Sequence, residues 1–342
     1  MASSLDLIQH YAQTALTQLP VPAQQLLQNP IAQKAAAAVV ALGVVRSINN
    51  FLTQRSLNNW VSSDPWDPSR ELILLTGGCS GIGKQVMEDL ARTGVRVIIL
   101  DINEPNFKLP ANVTFYRANI TSSANITEVA KAIRSDHGEP TVLINNAGVG
   151  YECTILEESE QQIRNTFEVN TISHFLMVRE FLPAMIRANH GHVVTLASMA
   201  SFVGLSELAD YCCTKASALA FHESLRQELR LYYKAPKVRT SIIHPFWVRT
   251  PMITVLTDYE KEFGQPIMSV QTVSDAICKQ ILNQNSGQVI LPASKTVARL
   301  VRGFPLWLQE FIRGKESEKL KVLRDVQLLA EKAAAEAANK KS

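Results

Sequence analysis

The chain is poor in cysteine, with five in 342 residues. That excludes a disulfide scaffold and points to a reducing compartment, or to one where thiols carry no structural duty. Cys79, Cys153, Cys212, Cys213 and Cys278 show no metal-ligand spacing, and the seven histidines form no HExxH or similar pair, so no metal site is expected. Charge is sparse too: 19% of residues are charged, 34 Lys+Arg against 31 Asp+Glu, for a net +3. Long apolar runs are missing, and a mean hydropathy of +0.01 excludes a polytopic membrane protein. Hydrophobic residues at 46% nevertheless make a globular composition, not a disordered one.

The small net charge is unevenly placed. From Lys295 onward there are 11 basic and 6 acidic residues, a net +5, which leaves residues 1–294 at −2. A nucleic-acid binder carries its basic stripe on the folded domain, so no nucleic-acid partner is expected.

The first 30 residues lack a basic n-region and an early apolar h-region, and the first basic residue is Lys34. Neither a cleaved secretory signal nor an Arg-rich mitochondrial presequence is expected. Residues 35–45 read AAAAVVALGVV, between Lys34 and Arg46. Eleven residues at ~1.5 Å each make a helix of about 16 Å, short of the ~30 Å of a bilayer's hydrocarbon. Apolar residues cover every face and basic residues flank both ends, so residues 31–52 are read as a monotopic or re-entrant membrane anchor, with packing on the domain as the alternative. Residues 56–70, marked by Pro65 and Pro68, are expected as a linker. Residues 1–70 thus precede a catalytic domain over 71–294, and 295–342 follow it as a tail.

From Glu71 the pattern changes to short apolar runs alternating with longer amphipathic ones. Strands are expected at 71–76, 95–101, 113–118, 141–148, 192–198, 238–245 and 287–292. Helices are expected at 83–93, 123–136, 159–188, 210–233 and 272–284. Strands apolar on both faces and separated by helices predict a doubly wound α/β domain around a parallel seven-stranded sheet, a Rossmann fold.

The first strand runs into Thr76-Gly77-Gly78-Cys79-Ser80-Gly81-Ile82-Gly83 and then a helix. Such a turn lets the backbone approach a pyrophosphate while the helix N-terminus presents free N–H groups to it, which makes Gly77, Ser80, Gly81, Ile82 and Gly83 candidate cofactor contacts. Eighteen residues after Gly83, the second strand ends in Asp101. A carboxylate there accepts hydrogen bonds from ribose hydroxyls and repels a 2′-phosphate, favouring NAD(H) over NADP(H).

These features resemble the short-chain dehydrogenases/reductases, in which TGxxxGxG, an NNAG segment, and an Asn, Ser, Tyr-xxx-Lys set recur in that order. Here they read Thr76 to Gly83, Asn145-Asn146-Ala147-Gly148, Asn170, Ser198, and Tyr211 with Lys215. The resemblance spans about residues 70–292. Tyr211 and Lys215 are four apart, so on a helix they share a face. An ammonium beside a phenol lowers the tyrosine pKa from ~10, which suits Tyr211 to general acid/base work. The resemblance implies that Lys215 also binds the nicotinamide ribose, that Ser198 holds the substrate oxygen, and that Asn170 holds a water in a proton relay. It further implies cofactor contacts from Asn146, Ala147 and Gly148, from Asn119 and Ile120 beside adenine, and from Pro245, Val248 and Thr250 near nicotinamide. Two positions depart from the family pattern: Asn119 replaces an acidic residue, and Phe246-Trp247 follow Pro245 where Gly is usual.

After the last strand, Leu300, Phe304, Trp307, Leu308 and Phe311 fall at helical spacing among Arg299, Arg302 and Arg313. Trp and Arg beside an apolar stripe suit a membrane interface, or else a lid over a substrate pocket. Residues 315–340 read as a solvated, peripheral helix. Apolar segments at both ends resemble the membrane- and lipid-droplet-associated branch of the family, which includes hydroxysteroid and retinol dehydrogenases. That implies a lipophilic alcohol or carbonyl substrate, an endoplasmic-reticulum or lipid-droplet location with the catalytic domain facing the cytosol, and a homodimer. An NADPH-dependent carbonyl reductase and a non-catalytic nucleotide-binding scaffold on the same fold stay open as alternatives.

Overall fold

The computed structural model describes Pro20 and residues 29–339, with side chains to Leu329. Seven strands form one sheet in the order β3-β2-β1-β4-β5-β6-β7. They are β1 (Leu72–Thr76), β2 (Arg96–Asp101), β3 (Val113–Arg117), β4 (Val142–Asn145), β5 (Gly191–Leu196), β6 (Val238–Pro245) and β7 (Gly287–Leu291). Every neighbouring pair is parallel, with Leu74 opposite Ile98 on one side and opposite Leu143 on the other. This is the expected Rossmann-type sheet. The strand order reverses between β1 and β4, and a doubly wound sheet opens its ligand crevice at such a switch point.

Both faces of the sheet are covered, which explains why its central strands alternate no polar residues. One face sets Leu72, Leu74, Ile98 and Leu143 against Ile126 and Ile133 of α3 (Ser123–His137) and against Met177 and Phe181 of α5 (Ser173–Ala188). The other sets Ile73, Leu75, Ile99 and Ile144 against Val86 and Leu90 of α2 (Gly81–Arg92) and Val273 and Ile277 of α9 (Val270–Leu282). Burying an aliphatic side chain of this size contributes about 1.5–3 kcal/mol, so these two layers hold the sheet at the depth the site needs.

The single helix expected over 159–188 is broken. It comprises α4 (Glu160–Phe167), a π-helical turn over Glu168–Ile172, and α5. Ser159 starts it with a capping box to Gln162. One extra residue in a turn leaves hydrophobic spacing nearly unchanged, so periodicity does not reveal a π-bulge. Here the bulge turns Asn170 inward.

Of residues 56–70, expected as a linker, those from Asn58 to Asp64 are held along the start of β6 and β7. Arg239, fully buried, donates to Asn58 O (2.9 Å), Val61 O (2.8 Å) and Ser63 Oγ (2.7 Å). Ser286 N donates to Asn58 Oδ1 (2.8 Å), and Ser63 Oγ donates to Gln284 O (2.8 Å). An isolated buried guanidinium is costly, and these acceptors satisfy it.

The chain divides into two units between Ser56 and Leu57. Before that division, but for its last residue, lies α1 (Pro30–Leu57), 28 residues with none buried. The expectation that this segment falls short of a membrane span does not hold for the helix as a whole. Ile48, Phe51 and Leu52 prolong the apolar run past Arg46, and 28 residues reach about 42 Å at ~1.5 Å each, enough by length and composition to cross a bilayer.

The tail also differs from expectation. A 3₁₀ segment over Ala293–Gly303 leads into α10 (Leu306–Asn339), and the first half of α10 is no peripheral helix. Leu320 and Leu323 are buried with Leu208, Cys212, Leu256 and Phe263. Arg324 pairs with Glu157 at 2.5 Å, and Ser206 N donates to Ser317 Oγ at 3.1 Å. The charged residues of this stretch disguise a stripe of leucines three apart that faces inward.

Candidate active site

The crevice at the switch point opens into one cavity of about 1290 Å³. At its floor lies the turn between β1 and α2. Gly77 takes φ +69, a conformation side chains rarely adopt, and a Cβ there would stand 2.9 Å from Ala147 Cα. A Cβ on Gly83 would stand 2.0 Å from Gly77 O and 2.5 Å from Asn146 Nδ2. The glycines let α2 start against the turn with its N-terminal N–H groups facing the cavity. Thr250 closes the turn from above, 3.3 Å from where a Gly81 Cβ would be.

Asn146 works on the protein itself. Its Nδ2 donates to Thr76 O (2.9 Å) and Gly77 O (3.0 Å), and its N–H and that of Ala147 donate to Thr76 Oγ1 (both 3.1 Å). The NNAG segment therefore ties the end of β4 to the glycine turn. Asp101, at the end of β2, accepts from Cys79 N and Asn103 N, both at 3.0 Å, which fixes its carboxylate at the cavity wall. Asn119 Oδ1 accepts from Thr121 N and Oγ1, and Ile120 is buried beneath.

Deeper in, three elements converge. Ser198 follows β5 in extended conformation (φ −164, ψ 164), and its Oγ accepts from Ala200 N at 3.2 Å. Tyr211 and Lys215 lie one turn apart on α6 (Ala209–Leu231), as their spacing requires. Gly150 packs on the Tyr211 ring, where a Cβ would stand 3.2 Å from Cδ2. The Lys215 ammonium, 3% exposed, donates to Leu196 O at 3.0 Å and sits 5.4 Å from the Tyr211 ring centroid. Asn170 stands one layer behind the cavity wall. Its Oδ1 accepts from Val149 N (2.9 Å), and its Nδ2 donates to Val149 O (2.8 Å) and Thr214 Oγ1 (3.2 Å).

The electrostatics depart from the simple expectation. Burial pushes the Tyr211 hydroxyl up to about 12, against a smaller downward pull from its hydrogen bond with Ser198. Burial lowers Lys215 to about 8. The ammonium donates to the Leu196 carbonyl and lies over the Tyr211 ring, and burial is the largest influence on the phenol.

The cavity wall includes Gly77, Ser80, Gly81, Ile82, Gly83, Asp101, Asn119, Ile120, Asn146, Ala147, Gly148, Ser198, Tyr211, Lys215, Pro245, Val248 and Thr250. Every site residue expected from sequence except Asn170 is among them. Two residues were not expected, and the tail takes the position of a lid, one of its two expected readings. Arg117, at the end of β3 and in register with Asp101, lines the adenosine side. His244, next to Pro245, donates from Nδ1 to Ser198 O at 3.0 Å. Val301, Phe304, Ile312 and Leu320 bring the tail onto the substrate side. A charged residue closing the strand beside Asp101 was the readable signal for Arg117; for the tail only the leucine spacing was. Among the described residues no group of three or more His, Cys, Asp or Glu is placed to hold a metal ion.

Comparison with known proteins bears on the family and the fold. The family model described as short chain dehydrogenase matches residues 71–261. The chain is 40% identical over 207 residues to Dehydrogenase RED2 of Cochliobolus heterostrophus, covering 60% of this chain and 78% of that protein. It is 35% identical over 191 residues to Estradiol 17-beta-dehydrogenase 11 of Macaca fascicularis, covering 54% and 63%. The solved structure of 3-ketoacyl-(acyl-carrier-protein) reductase from Brucella melitensis, complexed with NADH, superposes with a TM-score of 0.59 at 20% identity, covering 66% of this chain and 98% of that one. The chain belongs to the short-chain dehydrogenase family. It is an NAD(P)-dependent oxidoreductase.

Proposed function

We propose that the chain interconverts a lipophilic alcohol, of retinoid, steroid or long-chain type, and its carbonyl form with NAD(H) as cofactor. The convergence of Ser198, Tyr211 and Lys215 on one cavity with an apolar, tail-roofed outer half carries this reading. The residues present fit a dinucleotide: the glycine turn leaves a cradle that a Cβ would fill, and Asp101 stands fixed where a ribose would lie. Gly77, Ser80, Gly81, Ile82 and Gly83 would hold the pyrophosphate, Asn119 and Ile120 the adenine, and Asn146, Ala147, Gly148, Pro245, Val248 and Thr250 the nicotinamide half. When bound, the cofactor supplies the hydride acceptor or donor.

The protein's own task is the proton. Tyr211 takes the alcohol proton in oxidation and returns it in reduction, while Ser198 holds the substrate oxygen as charge develops on it. Lys215 would hold the nicotinamide ribose, and its ammonium, 5.4 Å from the Tyr211 ring centroid, favours the phenolate against the burial that raises it. Asn170 belongs to the proton relay, fixed by its grip on both backbone groups of Val149.

Two features support a membrane-facing role at the endoplasmic reticulum or a lipid droplet, with the catalytic domain in the cytosol. Residues 35–45 of α1 are apolar on every face, and the tail displays Leu306, Trp307 (72% exposed) and Phe311 outward while Val301 and Leu320 face in. A homodimer through α5 and α6 fits the exposed Phe175, which stacks on Phe221 at 4.8 Å. Arg117 favours a second reading with NADP(H), since its guanidinium would meet a 2′-phosphate.

The purified protein is expected to oxidise retinol, a steroid alcohol or a long-chain secondary alcohol faster with NAD than with NADP, followed by NADH absorbance. Tyr211→Phe should lower kcat by about 10²–10⁴. Turnover unaffected by that substitution would sink the assignment.

A further inference from the structure

We infer that His244 is a positioning residue for the reaction proposed above: its imidazole fixes the peptide of Ser198, and with it the oxygen that meets the substrate. His244 is fully buried at the end of β6. Its Nδ1 lies 3.0 Å from Ser198 O, and its Nε2 lies 3.4 Å from Gln288 Nε2. A carbonyl only accepts, so the proton is on Nδ1, and Nε2 then accepts from the Gln288 amide. The ring is packed against Phe202, with centroids 4.6 Å apart at 43°.

The geometry around Ser198 shows what this bond holds. The peptide before it is tied to β6 through Ala197 N donating to Ile243 O at 2.8 Å. The peptide after it begins a tight turn, in which Ser201 N donates to Ser198 O (3.0 Å) and Ala200 N donates to Ser198 Oγ (3.2 Å). Ser198 O thus takes two donors, one from its own turn and one from β6. His244 is the side chain that anchors this turn to the sheet, and the hydroxyl that bonds Tyr211 rides on it.

The electrostatic setting suits a neutral positioning group and not a proton carrier. Burial pushes the His244 imidazole down to about 4, with the Ser198 carbonyl pulling it up and Lys215 pushing it down. The buried His222, itself lowered to about 3, faces it from α6. Imidazole is therefore uncharged throughout the working range, and its donor is permanently available to Ser198. Misplacing a reacting group by about 1 Å costs on the order of 10²-fold in rate, which is the scale at stake.

The test uses the full chain. Nitrogen NMR on histidine-labelled protein at pH 7 should show the Nδ1–H tautomer for His244; the Nε2–H tautomer would overturn the inference. His244→Phe keeps the ring stack and removes the donor. It should lower kcat by about 10- to 100-fold with KM for NADH within about twofold of wild type, and should release the Ala200 and Ser201 amides to hydrogen exchange. His244→Asn, whose amide lies near the Nδ1 position, should regain most of kcat and of the protection. A folded Phe variant with wild-type kcat and protection, or an Asn variant no better than Phe, would refute the positioning role. Should Phe fail to fold, the tautomer and the Asn variant still decide. A wild-type protein inert toward every alcohol would retire the proposed function, and the tautomer and exchange readouts would then judge the positioning claim alone.

Discussion

The two halves of the cavity are built on different principles. The nucleotide half is backbone: a glycine turn, a helix N-terminus and an NNAG segment hydrogen-bonded to each other within one βαβ unit and its neighbouring strand. The substrate half is side chain: Leu205, Trp247, Phe263, Phe304 and Leu320 come from segments spread over more than a hundred residues. A backbone cradle recognises what all dinucleotides share and tolerates little change. An apolar wall assembled from distant loops can be rebuilt residue by residue, so chemistry and specificity separate along the line where Ser198 and Tyr211 stand. The match to the family model ends at residue 261, before the tail that roofs the substrate half begins.

The largest effect should come from filling the cradle. A Cβ at Gly83 would collide with Gly77 O at 2.0 Å, a backbone atom that cannot swing aside. Gly83→Val is expected to abolish NADH binding by fluorescence titration and to lower kcat/KM at least about 10³-fold for every alcohol alike, because the loss precedes substrate choice. A melting curve separates this from unfolding. A folded variant that binds NADH normally would remove the turn from the cofactor site and dissolve the contrast between the halves.

That contrast also explains what was legible. All seven strands and the site residues from Gly77 to Lys215 could be read because their signals are local: apolar runs, fixed glycine spacing, an i,i+4 pair. The π-turn at Asn170 escaped because one inserted residue barely shifts the periodicity. The net upward shift of Tyr211 in the protein alone escaped for another reason: spacing gives the proximity of Lys215 but not the desolvation that raises the phenol. Arg239 and the inward packing of Leu320 and Leu323 were out of reach for a different reason. A buried arginine gripping residues 58–63 and leucines roofing a pocket some hundred residues away are long-range pairings, which no window of sequence displays.

A middle-sized effect should fall on the substrate half alone. Leu320 is buried against Leu208, Leu256 and Phe263 and also faces the cavity. Leu320→Ala should cost about 2–5 kcal/mol of stability, seen as a lower Tm. It should also lower kcat/KM for a long-chain or steroid alcohol by about tenfold or more while leaving a short secondary alcohol and the KM for NAD nearly unchanged. An equal loss with short and long alcohols would mean that the tail stabilises the fold without shaping the pocket.

The smallest effect should appear where the nucleotide half uses side chains after all. Asp101 and Arg117 end adjacent strands in register and both line the cavity, with opposite charge. An exposed pair of unit charges about 4 Å apart is worth about 1 kcal/mol in water, so neither residue can impose an absolute choice of cofactor. Asp101→Ser removes the repulsion of a 2′-phosphate and should raise kcat/KM with NADP by about fivefold to tenfold relative to NAD, measured with one alcohol. Adding Arg117→Ser should return the ratio toward its starting value, since the gain depends on the guanidinium left behind. If the double variant keeps the NADP gain, Arg117 is not the group that receives the phosphate; if Asp101→Ser alone changes nothing, the carboxylate serves only Cys79 N and Asn103 N, and cofactor choice belongs to the backbone like the rest of that half.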